Sequence, residues 1–102
     1  MLSHSLVVKL TAKPERAEDV ASFLAGALPL AEAEAFTPVW FAFRADETTF
    51  YIVDAFASAE DRGLHVDGPI AAALFANADE LLAAPPAIEP VDILAAKVRA
   101  QV

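Results

Sequence analysis

Two stretches decide how the chain folds: Thr37-Pro38-Val39-Trp40-Phe41-Ala42-Phe43-Arg44 and Thr49-Phe50-Tyr51-Ile52-Val53-Asp54-Ala55-Phe56, joined by the polar turn Ala45-Asp46-Glu47-Thr48. Both are rich in aromatic and β-branched residues and are bounded by turn-forming ones, so they read as a hairpin. Their apolar residues run almost continuously and do not alternate with polar ones, which implies a sheet covered on both faces. Helices of so short a chain cover only one of those faces. The other face calls for a second protomer, and a homodimer is expected.

Outward from the hairpin, Leu6-Val7-Val8-Lys9-Leu10 reads as a first strand ending before Lys13-Pro14. Pro14 suits the first turn of a helix, with Glu15, Glu18 and Asp19 where the helix dipole favours acid. Val20, Phe23, Leu24, Ala27 and Leu28 recur at three- and four-residue spacing and form one apolar stripe, which Pro29 should kink or end. Beyond the hairpin, Ser58 with Asp61 three residues on resembles a capping box opening a short helix toward His65, and Gly68-Pro69 breaks or restarts it. Ile70 to Ala76 is helix-compatible, Asp79 to Leu82 offers a further turn, and Pro85-Pro86 closes the region. The tail from Ile88 to Val98 is ambiguous: Ala95-Ala96-Lys97 favours a helix, while Val91, Ile93, Leu94 and Val98 permit a strand. With the tail as a strand, the order is βαββαβ, the ferredoxin-like pattern: an α+β fold with an antiparallel sheet and helices on one face.

Composition sets the outer limits. The 102 residues fit a single domain, spanning 1–102, and 57% of them are hydrophobic. Of these, 24 are Ala, but the larger ones still exceed what so small a globule is expected to bury, which points to a pocket or a partner. Seven Lys+Arg against 15 Asp+Glu give a net charge of -8, the wrong sign for a phosphate backbone, so no nucleic-acid partner is expected. The longest uncharged stretch, Val20 to Ala31, has 12 residues, against the roughly 18 a membrane span needs, and no membrane partner is expected. Met1-Leu2-Ser3-His4 leads straight into a strand-like run, without the basic and apolar segments of a signal peptide, and suggests a cytoplasmic protein. The absence of cysteine excludes disulfides, thiolate catalysis and Cys-ligated metals.

Taken together, Lys13-Pro14 after the first strand, Ala27-Leu28-Pro29-Leu30-Ala31-Glu32-Ala33-Glu34, Val39-Trp40-Phe41-Ala42, and Ile52-Val53-Asp54-Ala55-Phe56 followed by His65-Val66-Asp67-Gly68-Pro69-Ile70 resemble an antibiotic biosynthesis monooxygenase (ABM) domain. The resemblance spans nearly the whole chain. It implies a dimeric α+β barrel of two ferredoxin-like protomers, with a small pocket between each sheet and its helices. Haem-degrading members of that family carry a Trp ending the third strand, an Asn in the first strand and an Ala-His pair in the later helix. Here those places hold Phe56, no Asn between Leu6 and Leu10, and Leu74-Phe75, which disfavours haem. The branch that oxygenates quinols and polyketides without metal or flavin is closer around His65, and implies no cofactor. Its Trp does not coincide with Trp40, which lies on the second strand.

Among candidate site residues, His65 is one of two histidines, and its imidazole suits a base near neutral pH or a packed hydrogen-bonding group at a helix end. Trp40 suits stacking on a planar substrate, and equally a core or interface position. Tyr51, Phe56 and Phe75, with Phe41 and Phe43, suit the lining of an apolar pocket or the core. Strand alternation separates Trp40, Ala42 and Arg44 from Val39, Phe41 and Phe43. Asp54, an acid within an apolar strand, invites a raised pKa or an ion pair with a base such as Arg44, or else an edge position. His65-x-Asp67 lacks a third ligand, so no metal is expected, and Glu32-x-Glu34 reads as a solvated face. Two functions follow: a cofactor-independent monooxygenase of a small apolar or aromatic molecule, with His65 as base and Trp40 as positioning aromatic, or a non-catalytic dimeric ligand-binding or structural module.

Overall fold

The computed structural model describes residues 1–99. Strand β1 (His4–Thr11) is followed by a 3-10 turn (Pro14–Arg16), helices α1 (Ala17–Gly26) and α2 (Leu28–Glu32), the hairpin β2 (Val39–Arg44) and β3 (Thr49–Phe56), helices α3 (Ala59–Val66) and α4 (Pro69–Leu81), and strand β4 (Ala87–Asp92). The four strands form one sheet in the order β2-β3-β1-β4, with every neighbouring pair antiparallel. This is the expected ferredoxin-like α+β arrangement.

Register assigns each side chain to a face. Leu6 pairs with Asp54, Val8 with Ile52 and Leu10 with Phe50, and across the hairpin Trp40 pairs with Asp54. These residues face the helices, where Leu10, Val20, Leu24, Phe50, Ile52, Leu74 and Leu81 form the main core. A satellite cluster of Ala27, Ala31 and Ile70 lies beside it, and half-buried Trp40 packs against both. The opposite face carries Val7, Val39, Phe41, Phe43, Tyr51 and Val53. Phe41 and Phe43 stack there at 5.5 Å and remain 52% and 48% exposed, so a single chain leaves this face open.

Several boundaries differ from expectation. The first helix divides at Ala27, ahead of Pro29, which sits in the first turn of α2, where its missing N–H is no loss. The segment from Ile70 and the added turn at Asp79 to Leu82 merge into one helix of 13 residues, begun by Pro69 after Gly68. Only Ala87–Asp92 of the tail forms a strand, because pairing with β1 ends at His4, and Ala95-Ala96-Lys97 forms no helix. Ser58 caps α3 as expected, its hydroxyl accepting from the Asp61 N–H at 3.1 Å. Among the described residues no helix is long and apolar enough to cross a membrane.

Candidate functional site

The helix-facing side of the sheet brings together an acid–imidazole–acid chain that three separate elements supply. His65, one residue before the end of α3, directs Nδ1 at Glu34 Oε1 at 2.6 Å and Nε2 at Asp54 Oδ2 at 3.1 Å. Glu34 follows the C-terminus of α2, and Asp54 lies on the central strand β3. All three are buried: Asp54 is 1% exposed, His65 5% and Glu34 7%. The Thr37 hydroxyl donates to Glu34 Oε1 at 2.8 Å, and the Leu6 backbone N–H donates to Asp54 Oδ1 at 3.1 Å. The Phe56 ring packs beside the imidazole, the ring centroids lying 5.3 Å apart and the planes tilted by 43°.

Burial alone drives the His65 pKa down, but the hydrogen bonds and charges of Asp54 and Glu34 outweigh it and leave the pKa above 6.5. With a carboxylate beside each ring nitrogen, the imidazolium form of His65 faces an acid on both sides. The two ends of the chain are not equivalent. Nδ1 makes a short hydrogen bond to Glu34, whereas Nε2 approaches Oδ2 off the hydrogen-bond axis, so Oδ2 is an ion-pair partner without a hydrogen bond of its own. Glu34 Oε2 also lacks a donor. Gly68 makes room for it: a Cβ at Gly68 would stand 2.9 Å from Glu34 Oε2 and 3.1 Å from the His65 carbonyl.

Asp54 and His65 form the polar part of a small cavity of about 40 Å³, whose remaining wall is apolar. Leu6 and Val8 of β1, Ile52 of β3, Val66 of α3, Ile70, Ala71, Leu74 and Phe75 of α4, and Ile88 of β4 complete it. An apolar enclosure with a few convergent polar groups is the usual form of a small-molecule site. A larger groove of about 390 Å³ runs past the end of α4 to Pro85 and Pro86, and Phe75 lines that groove as well.

The structure brings His65 and Phe75 to this cavity and separates other residues from it. Phe56 is fully buried and supports the His65 ring from outside the cavity. Tyr51, expected in the same lining, faces the other side of the sheet, paired with Lys9 and Phe43, because its odd register place puts it opposite Asp54 and Ile52. Trp40 packs between the two core clusters as the cross-strand neighbour of Asp54 and does not line the cavity. Asp54 pairs with His65 and not with Arg44, whose guanidinium reaches Glu18 at 2.7 Å, and it lies on an inner strand, not at an edge. Glu34 is not part of a solvated face: it continues the buried stripe of Ala27 and Ala31 at helical spacing, a signal present in the sequence. Among the described residues no group of three His, Cys, Asp or Glu side chains is placed to hold a metal ion.

Fold and site define a small ferredoxin-like domain of ABM-like architecture, with an acid–imidazole chain bordering an apolar cavity. The chain belongs to one family with the NE2512 protein of Nitrosomonas europaea, a protein of unknown function: the two are 50% identical over 99% of this chain and 98% of that one, with a TM-score of 0.95. Rv0793 of Mycobacterium tuberculosis has the same fold at 16% identity and a TM-score of 0.82, over 94% of this chain and 99% of its own. So does a second Nitrosomonas europaea protein, named "putative antibiotic biosynthesis monooxygenase", at 14% identity and a TM-score of 0.79 over 90% of each chain. No protein-family model and no curated protein matches the chain.

Proposed function

We propose that the protein is a cofactor-independent monooxygenase that oxidises a small hydroxylated aromatic compound, quinol-like or polyketide-like, in the cavity between sheet and helices. The observation that carries this reading is the Glu34–His65–Asp54 chain at the wall of an apolar cavity. Burial of an aromatic ring supplies the binding, and the ring hydroxyl meets Asp54 Oδ2, the oxygen without a hydrogen-bond donor. Asp54 and His65 act as one unit: the carboxylate takes the hydroxyl proton, and the adjacent imidazolium stabilises the electron-rich anion left behind. That anion reacts with oxygen. When a ring CH₂ becomes C=O, one oxygen atom enters the product and the other leaves as water, with all four electrons supplied by the substrate. Trp40 contributes by packing behind Asp54, its cross-strand neighbour.

The engagement of both His65 nitrogens by carboxylates favours a second reading, a non-catalytic module that binds a small apolar ligand in the same cavity. In either case we propose a homodimer joined through the open sheet face, supported by the exposed Phe41–Phe43 stack and its apolar neighbours. A cytoplasmic location is part of the same proposal.

Oxygen uptake with a panel of quinols and hydroxyanthrones, comparing wild type with Asp54→Asn and His65→Ala, tests the oxygenase. Loss of about 100-fold or more in turnover is expected from each substitution. Equal turnover by wild type and both variants refutes the assignment, and saturable binding without uptake on any substrate selects the binding module.

A further inference from the structure

We propose that Glu34 is a proton-operated latch: it fastens the connection 33–38 to α3 while the His65 ring is protonated, and turns out to water, freeing the connection, when the ring loses its proton. The latch works with the cavity empty or filled, and so does not depend on the oxygenase reading. The connection joins α2 to β2 and has little else to hold it. Among the described residues its backbone hydrogen bonds stay local: Ala33 N–H donates to Pro29, Glu34 N–H to Ala31 and Thr37 N–H to Glu34. Ala33, Ala35 and Pro38 are exposed, and Phe36 is half-buried. Its polar side-chain ties to another element both run to His65 Nδ1, from Glu34 Oε1 at 2.6 Å and from the Thr37 hydroxyl at 3.5 Å.

Which acid lets go follows from the protons on the ring. A protonated imidazole carries an N–H at each nitrogen, whereas a neutral one carries an N–H at one and a lone pair at the other. Loss of the proton therefore turns a lone pair toward one of the two acids. Asp54 has no way to avoid that contact: it lies on inner strand β3, 1% exposed, with Oδ1 held by the Leu6 N–H and Oδ2 3.1 Å from Nε2. Glu34 has a longer side chain between two exposed alanines, and a turn of that side chain brings its carboxylate to water, away from the costly interior. The remaining ring proton thus stays on Nε2, and Nδ1 becomes the lone-pair nitrogen. No other buried charge competes. Leu6 and Val8 of β1, Trp40 of β2, and Ile70 and Leu74 of α4 carry none on the sides that pack around the ring. Asp61 and Arg62 of α3 are half-buried, Glu60, Asp67 and Glu32 are exposed, and half-buried His4 bonds to Ser3. Burial pushes the His65 pKa down, and Asp54 and Glu34 together hold it above 6.5. The latch is therefore closed below about pH 6.5 and opens as pH rises through the folded-state value.

The chain has no cysteine, so Ala35→Cys places a single nitroxide spin label on the exposed connection of the full chain, and Ala45→Cys places one at a reference position in the β2–β3 turn. Spectra from about pH 5 to about pH 9 read label mobility, and nitrogen NMR of the ring reads the His65 tautomer. At position 35 the ratio of mobile to ordered signal is expected to rise by about tenfold, with a midpoint that matches the His65 titration, while position 45 stays constant. The neutral ring is expected to carry its proton on Nε2. In Glu34→Gln the step disappears and the connection stays ordered throughout, because a carboxamide accepts from an Nδ1 proton or donates to an Nδ1 lone pair. An unchanged spectrum at position 35 across the His65 titration overturns the latch. So does a step that survives Glu34→Gln, a step shared by position 45, or a neutral ring protonated on Nδ1.

Discussion

Replacing Glu34 with Gln isolates what the second carboxylate does for His65. The side chain keeps its volume and an oxygen that accepts from Nδ1 and from Thr37, so the change is the loss of a charge 2.6 Å from a buried imidazolium. Both side chains are under 10% exposed, at 7% for His65 and 6% for Glu34, so solvent screens the pair little. Hydrogen bonds to charged groups contribute about 1.5–3 kcal/mol, and the retained oxygen keeps the cost near the middle, about 2 kcal/mol. In a domain of this size that lowers Tm by about 10 °C. The pH dependence has a definite sign. The folded-state pKa of His65 lies above its unfolded value near 6.5, so the stabilisation from the protonated ring is full below about pH 6.5 and is lost as pH rises through the folded pKa. Glu34→Gln lowers that pKa and brings the loss to lower pH. Proton NMR of the imidazole C–H signals reads it directly, because the chain has two histidines and substitution of His4 leaves His65 alone. Thermal melts from about pH 5 to about pH 9 supply the matching stability curve. A His65 titration at or below 6.5 in wild type, or an identical midpoint in Glu34→Gln, refutes the assignment of a doubly held imidazolium.

Gly68→Ala places a methyl group 2.9 Å from Glu34 Oε2, at a backbone φ of -88° that any residue adopts, so its cost of about 1–3 kcal/mol comes from crowding the carboxylate. Thermal melting should show the loss, and combination with Glu34→Ala should remove most of it; an unchanged Tm for the single variant refutes the contact. Light scattering at micromolar concentration is expected to give twice the chain mass for wild type and the single-chain mass for Phe41→Asp/Phe43→Asp, and a single-chain mass for wild type refutes the dimer through the open face.

The fold was legible because its signals were local and agreed with one another. The β-rich hairpin, the stripe through Val20 and Leu24, and the Ser58 cap each specify an element, and their order admits one compact arrangement. The end of the tail was less so, since β4 stops where its partner β1 runs out and not where propensity changes. The site was half legible. His65 and Asp54 stand out, a lone buried-type imidazole and an acid inside an apolar strand, but their pairing depends on how α3 packs on β3, which no local pattern encodes. Glu34 was misread because its neighbours Glu32, Ala33 and Ala35 resemble a solvated helix end; counting the stripe from Ala27 through Ala31 places it inward. The aromatic residues misled in the other direction: Trp40, Tyr51 and Phe56 have the chemistry of a pocket lining, and register assigns them to core, open face and ring support.

Stability alone does not account for the Glu34–His65–Asp54 chain. The chain buries two of the protein's 15 acidic side chains beside a single base. Removing such charges from water costs several kcal/mol for each ion, and well-packed apolar residues of similar volume at such places are often as stable or more so. The adjoining space sharpens the point. Ala71 leaves a cavity beside Asp54 that a larger apolar side chain on the same helix would reduce, in a chain rich enough in apolar residues to supply one. An unfilled apolar cavity and an unpartnered buried oxygen are each unfavourable for the folded chain alone. A hydroxylated ring that widens the cavity as it binds relieves both at once, its edge entering the apolar space and its O–H meeting Asp54, so the defects of the empty protein are the complement of the ligand proposed for it.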